Sequence, residues 1–257
     1  MKNQELINKI MSKKEFSELP LQDVKRALKK FDKSSYSDEE KIKFTRDLLR
    51  RVFSSFLSKK LLNLKDKKPE WILKKHLSTR ERLHYYKDIY KIILEDFSSE
   101  KEVSLIDLGA GVNGFSYQYI KEVNSNIRYL GIESIGQIVD LMNNYFKKNN
   151  LNASAVKMSL FELDSLKELI KKQKKPRIIL LLKVIDSLEL LEKNYSKKFL
   201  LELKPFADRF VLSFATKSFF KRKSFRAKRK WIKDFIEDNF KVLKEFEFGG
   251  EKYFVFQ

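Results

Sequence analysis

Two hydrophobic rhythms divide the chain, and they change over near residue 98. Up to that point apolar residues recur every three or four positions, the spacing of one helix face. Leu6, Ile10 and Met11 predict a first helix ending near Lys14. Leu21, Val24, Ala27, Leu28 and Phe31 predict a second, with Pro20 near its start, where a missing N–H costs little. Ser37-Asp-Glu-Glu40 has the capping-box form and predicts the start of a long amphipathic run through Phe44, Leu48, Val52, Phe56 and Leu57. Pro69 predicts a short helix through Trp71 and Leu73. A second capping-box pattern, Ser78-Thr-Arg-Glu81, predicts one helix whose stripe is Leu83, Tyr86, Tyr90, Ile93 and Phe97, packed on whatever follows.

From Val103 the period changes. Apolar runs at Val103–Leu108, Ile127–Ile132, Ala153–Met158, Arg177–Ile185 and Arg209–Ala215 predict strands. Helical stretches fall between them, around 115–122, 135–149, 164–175 and 191–203, and a last helix at about 228–238. Strands alternating with helices imply a doubly wound parallel sheet. Two further strands, Lys241–Phe248 and Lys252–Phe256, flank Gly249-Gly250 and predict a closing hairpin. The expected fold is therefore α/β: a Rossmann-like class I methyltransferase fold with a mostly parallel seven-stranded sheet and an antiparallel C-terminal hairpin. An all-helical N-terminal domain, residues 1–98, precedes the sheet domain, residues 99–257.

Charge sharpens this division. The net charge is +20, from 55 basic and 35 acidic residues. Residues 1–98 hold 25 basic and 15 acidic side chains, half of the excess on well under half the length. A basic helical appendage in front of an α/β domain reads as a docking module, and nucleic acid is the partner that such charge favours. The sequence has no cysteine, which removes disulfides, thiolate metal ligands and a cysteine nucleophile, and fits a reducing, cytoplasmic setting. With only His76 and His84 a histidine metal centre is not expected either. No stretch is apolar enough to span a bilayer and the first residues are charged, so neither membrane insertion nor a signal peptide is expected.

The candidate cofactor site is the turn that opens the sheet domain. Gly109-Ala-Gly-Val-Asn-Gly114 fits G-x-G-x-x-G, follows a strand, and is trailed at the end of the next strand by Glu133. Glycines at 109 and 111 let backbone approach a ligand, and a carboxylate at Glu133 can accept both ribose hydroxyls. Asp107 stands two residues before the first glycine, where it can face a cationic amino-acid group. That acid, and the lack of a following domain to carry a hydride acceptor, favour S-adenosylmethionine over a dinucleotide.

Several segments together resemble one family, the aminoglycoside-resistance methyltransferases that modify guanine N7 in the decoding site of small-subunit (16S) ribosomal RNA. They are His76-Leu-Ser-Thr-Arg-Glu-Arg-Leu83, Asp107-Leu-Gly-Ala-Gly-Val-Asn113, Leu182-Lys-Val-Ile185 and Leu212-Ser-Phe-Ala-Thr-Lys-Ser218. Ser12-Lys-Lys-Glu-Phe-Ser-Glu-Leu-Pro20 is similar to the family's N-terminal helix pair. The resemblance implies that Arg82 binds the methionine carboxylate, that His76 to Ser78 close over the cofactor, that Gly109 backs its methionine part and that Glu133 holds its ribose. It also implies that Met158 and Ser159 lie at the adenine. There Ser159 departs from the family's aspartate, and a hydroxyl is a weaker, uncharged partner for an amino group. Lys183 is implied at the reaction space, with Val184 beside it among the cofactor contacts. Asp186 replaces a usual proline. Lys217 stands where an arginine usually approaches the target base, keeping the charge but losing the planar fork.

Guanine N7 carries a free lone pair, so its methylation needs alignment and no general base. Lys183 and Lys217 are accordingly expected to position and not to exchange protons. The other anchor is Lys217 to Trp231, with Lys217, Lys221, Arg222, Lys223, Arg226, Lys228, Arg229 and Lys230 and no acid, interleaved with Phe219, Phe220 and Phe225. Such a run at the rim of the sheet can neutralise phosphates and stack an extruded base. The implied partner is ribosomal RNA of the small subunit, met by a monomer without metal. Two other readings stay open: a methyltransferase for another structured RNA such as transfer RNA, and a non-catalytic RNA-binding or ribosome-assembly protein on a methyltransferase fold.

Overall fold

The computed structural model describes residues 2–54, 67–97, 102–216 and 229–257. Its strands are β1 Val103–Leu108, β2 Ile127–Glu133, β3 Ala153–Lys157, β4 Arg177–Leu182, β5 Arg209–Ala215, β6 Val242–Phe248 and β7 Glu251–Phe256. They form one seven-stranded sheet in the order β3-β2-β1-β4-β5-β7-β6. β1 to β5 are parallel, and β7 runs antiparallel to both β5 and β6. The expected doubly wound sheet with a closing hairpin is the one observed.

Burial on both faces explains why the central strands read as unbroken apolar runs. In β1, Val103 and Leu105 face one apolar cluster while Ile106 and Leu108 face the other. Leu180 and Val211 follow the first face; Ile179, Leu181 and Leu212 follow the second. The second face is covered by α9 Leu163–Lys171, α10 Ile185–Leu191, α11 Tyr195–Leu203 and α12 Lys230–Asn239, which bury Leu166, Leu188, Phe199 and Ile236 there.

The N-terminal helices are α1 Lys2–Met11, α2 Leu21–Lys29 and α3 Asp38–Leu49, the last prolonged by a wide turn over Arg50–Ser54. Then follow α4 Pro69–Lys75, α5 Leu77–Arg82 and α6 Tyr86–Leu94. Their apolar faces do not close on themselves. Leu6, Ile10, Val24, Leu49, Leu73, Tyr90 and Ile93 belong to the same buried cluster as Leu105, Tyr129 and Leu180 of the sheet. The helical region and one sheet face thus share a core, and the 98/99 division drawn from the sequence lies in residues 98–101, outside the described residues. The same face carries α7 Tyr117–Val123 and α8 Gly136–Lys148.

Local signals held unevenly. The Ser37 box forms: Ser37 Oγ accepts from Glu40 N (3.2 Å) and Glu40 Oε2 accepts from Ser37 N (2.8 Å). The Ser78 box does not. α4 ends at Lys75, His76 is the extended junction and α5 starts at Leu77, so Ser78 is already helical, and Glu81 pairs with Lys183 instead of turning back to the backbone. The single helix expected after Ser78 is broken at 83–85 into α5 and α6. The fourth strand, expected to run to Ile185, stops at Leu182 because Lys183 takes a left-handed conformation (φ 60°) and α10, unforeseen, starts at Ile185. Phe56 and Leu57 lie outside the described residues. Among the described residues no helix is long and apolar enough to cross a membrane, and no cluster of three His, Cys, Asp or Glu side chains could hold a metal.

Candidate functional site

A cavity opens at the carboxyl ends of β1, β2 and β4, where open α/β sheets place ligands. Its empty space, counted out into the open mouth, is about 870 Å3. The glycine turn forms its floor. Gly109 N and Ala110 N donate to Ile132 O at 2.8 and 3.0 Å, which ties the turn to the end of β2. Gly109 has φ 73°, and a Cβ there would lie 2.5 Å from Val184 Cγ2. Val184, expected among the cofactor contacts, lines the cavity and closes tightly over Gly109.

Glu133 ends β2 beneath this turn. Its Oε2 accepts from Gly111 N at 2.8 Å and its Oε1 from Ile135 N at 3.0 Å. The Ser134 N–H also acts on this carboxylate, which with about four acceptor positions keeps capacity for a ribose hydroxyl. Burial pushes its pKa up, and the backbone N–H groups of Ile135 and Gly111 oppose the rise.

At the other end lies a buried polar cluster. Asp107 Oδ2 accepts from Asn113 Nδ2 and Tyr129 OH, both at 2.8 Å, so neither bond uses Oδ1. Burial raises the Asp107 pKa against these two bonds. Asn113 Oδ1 accepts from Tyr86 OH at 2.8 Å. Arg82 is 2% exposed, and its Nε donates to both oxygens of Glu251 at 3.1 Å. Its outer nitrogens make long contacts, Nη1 to Asn113 Oδ1 at 3.4 Å and Nη2 to Ser78 Oγ at 3.5 Å, and the Tyr86 and Tyr253 hydroxyls lie beside the guanidinium. The guanidinium is thus anchored through Nε, and Arg82 is one of the residues lining the cavity. Burial, the largest single influence, works against the charge, but Glu251 together with Tyr253, Tyr86 and Asp107 outweighs it, and the Arg82 pKa rises well above its ordinary value.

Lys183 joins the same network. Its ammonium pairs with Glu81 and lies 3.2 Å from Glu251, whose other oxygen accepts from Ser213 Oγ. A left-handed lysine is strained, and here that backbone conformation brings the side chain into the charge cluster. Burial raises the Glu81 pKa, with Lys183 pulling it back.

His76 and Ser78 line the cavity as expected, and His76 packs against Gly111. Burial, helped by Arg82 and Lys183, lowers the His76 pKa from 6.5 to about 3, so the ring is neutral near pH 7. With the folded-state value below the unfolded one, this contribution to stability is complete above about pH 6.5. It is lost as pH falls towards 3, at about 1.4 kcal/mol per pH unit. Urea midpoints of the wild type should therefore drop relative to those of His76→Gln between pH 7 and pH 5; parallel curves would show that the ring does not resist protonation.

Other expected residues lie elsewhere. Met158 is partly buried against the second sheet face, and Ser159 is fully buried; neither lines the cavity. The side chains there are Leu160 and Phe161 from the same loop and Asp23 from α2, which the sequence did not single out. Asn113, Glu251, Glu81 and Ser213 were also missed as site residues. Arg229, expected on RNA, is committed internally: it pairs with Asp186, donates to Ala215 O at 3.1 Å and sits over the Phe214 ring. Asp186 in place of proline thus opens α10 and accepts this arginine. Lys217, Lys221, Arg222, Lys223, Arg226 and Lys228 lie outside the described residues.

Neither a family sequence model nor a curated protein sequence matches the chain. Solved structures do. The structure of 16S rRNA methyltransferase RmtF in complex with S-adenosyl-L-homocysteine aligns over 99% of this chain and 97% of its own, with TM-score 0.79 and 20% identity. The 16S rRNA methylase RmtB gives 0.77 and 17% over 99% and 97%. An rRNA methylase from Escherichia coli gives 0.74 and 16% over 99% and 98%. The strand order, the antiparallel β7 and the glycine turn define the class I fold of S-adenosylmethionine-dependent methyltransferases. More narrowly, the chain has the fold of these 16S rRNA methyltransferases, N-terminal helices included, since the alignment leaves almost nothing of either chain outside.

Proposed function

We propose that this protein is an S-adenosylmethionine-dependent rRNA methyltransferase that modifies guanine N7 in the decoding region of the small ribosomal subunit. The observation that carries the cofactor assignment is the order of groups along one cavity: the Arg82 fork and Asp107, then the glycine turn, then Glu133. A fork facing a carboxylate, an acid facing an ammonium and a carboxylate facing a diol match an aminoacyl nucleoside from end to end. The residues present therefore fit the group.

When bound, S-adenosylmethionine supplies an electrophilic methyl carbon on a cationic sulfur. The chain's task is to align that carbon with an acceptor and to exclude water, for which positioning can contribute about 7–11 kcal/mol. Lys183 Nζ is engaged by two carboxylates and His76 is neutral, which suits an acceptor that already has a free lone pair. Guanine N7 is such an acceptor. Lys183 orients Glu81 and Glu251 around Arg82, and Lys217 approaches the target base.

Support for an RNA substrate comes from the basic run 217–230, the excess charge of the helices, and the full-length likeness to 16S rRNA methyltransferases. Methyl-labelled cofactor should label intact small subunits above both deproteinised 16S RNA and transfer RNA. Preferred labelling of transfer RNA would favour the reading as a methyltransferase for another RNA, and no labelling with tight cofactor binding would contradict methyl transfer to RNA. Reversing Lys221, Arg222 and Lys223 to glutamate should weaken RNA binding and reduce the log-log salt slope by about 2–3. An unchanged slope would remove the segment from the interface.

A further inference from the structure

The aspartate that the resemblance leads one to expect at the adenine is absent from position 159, and the structure supplies a carboxylate to the same end of the cavity from elsewhere. Asp23 sits in the first turn of α2, is 0% exposed, and lines the cavity with Ile135, Leu160, Phe161 and Leu188. Its Oδ1 accepts from Ser159 Oγ at 2.5 Å, and Ser159 Oγ in turn accepts from Phe161 N at 3.1 Å. The one donor of Ser159 is therefore spent within the protein. The other oxygen, Asp23 Oδ2, is buried and has no hydrogen-bond partner among the described residues. A buried carboxylate oxygen without a donor costs free energy that a native fold seldom leaves uncompensated.

We propose that Asp23 reads the base of the cofactor: Oδ2 accepts a hydrogen bond from the exocyclic amino group of a 6-aminopurine, and Ser159 is the positioning residue that fixes Asp23. This rests on the S-adenosylmethionine reading above. The apolar walls suit the faces of a purine, and the sheet order sets its direction. Arg82 and Glu251 stand on the β7 side, Glu133 ends β2, and Ser159 follows edge strand β3. The amino-acid end and the base end therefore fall on opposite sides of the glycine turn. A 6-oxopurine would set a carbonyl oxygen against the carboxylate and is rejected. Burial raises the Asp23 pKa to about 6, with Ser159 and Arg26 pulling it down and Glu162 and Glu133 pushing it up, so near pH 7 the group is an acceptor. Helix α2 thereby couples the N-terminal helices to cofactor binding.

Calorimetric titration with S-adenosyl-L-homocysteine and its 6-oxo analogue S-inosyl-L-homocysteine tests this without any RNA. The wild type should bind the adenosyl ligand at least tenfold more tightly, about 1.4 kcal/mol. Asp23→Asn, which presents an amide donor in the same space, should abolish or invert that preference while its ligand-free Tm stays equal or rises, because a buried charge is removed. Ser159→Ala should shrink the preference by less. Equal wild-type affinities, or an Asp23→Asn loss shared equally by both ligands, would overturn the role of Asp23 and leave the cofactor assignment standing. Failure of the wild type to bind either ligand would overturn both.

Discussion

Arg82→Ala should lower stability by about 3–5 kcal/mol and abolish measurable binding of S-adenosyl-L-homocysteine. The stability loss follows from what remains behind. Glu251 is 0% exposed, and without the guanidinium its carboxylate keeps Ser213 and Lys183 but loses the bond to Arg82 Nε. Breaking a buried pair from one side costs about that much, and here Lys183 is left as the one ammonium facing both Glu81 and Glu251, so one negative charge is stranded. For a chain of this size it corresponds to a Tm drop of about 6–20 °C. The binding loss has a separate origin, the Nη end of a side chain that lines the cavity and whose contacts to Asn113 and Ser78 are long, 3.4 and 3.5 Å. Adding Glu251→Gln to Arg82→Ala separates the two effects. Scanning calorimetry should show part of the stability recovered, since the stranded charge is gone, while titration still detects no binding. Recovery of both would mean that Arg82 acts on the ligand only through the fold.

Gly109→Val should lower affinity for the same ligand at least tenfold with a smaller effect on stability. Two costs combine at this position. A non-glycine residue at φ 73° costs about 1–2 kcal/mol, and the added Cβ would meet Val184 Cγ2 at 2.5 Å. The turn can relieve that contact only by moving away from Val184, which shifts the backbone whose N–H groups are tied to Ile132 O. Pairing Gly109→Ala with Val184→Ala removes the clash and leaves the backbone strain, so titration of the double variant should recover part of the affinity. No difference between single and double variants would show that conformation alone sets the cost.

The same contacts explain which features could be read from the chain. The central strands were legible because both their faces are buried, so Val103–Leu108 is apolar but for Ser104 and Asp107. The glycine turn and Glu133 were legible because they lie within one β-α-β unit. Residues brought in from a distance were not. Asp23 and Ser159 meet across 136 positions, and Arg82 and Glu251 across 169. Glu251 reads as an ordinary hairpin residue beside Gly249-Gly250. The Ser78 box failed for the same reason: a local bond available to Glu81 was displaced by a distant ion pair with Lys183. The departure at Ser159 reads as a lost contact in isolation, and the fold shows its hydroxyl holding a carboxylate from another helix.

The central claim, methyl transfer to guanine N7 in the decoding region, is tested most directly by mapping the product. Intact small subunits treated with this protein and S-adenosylmethionine should yield RNA that borohydride reduction and aniline cleave at one new guanine of the decoding region. The break should appear by primer extension and be absent without the protein or with the Arg82→Ala/Glu251→Gln variant. Label incorporated without any aniline-sensitive break, or a break confined to another part of the RNA, would contradict the account.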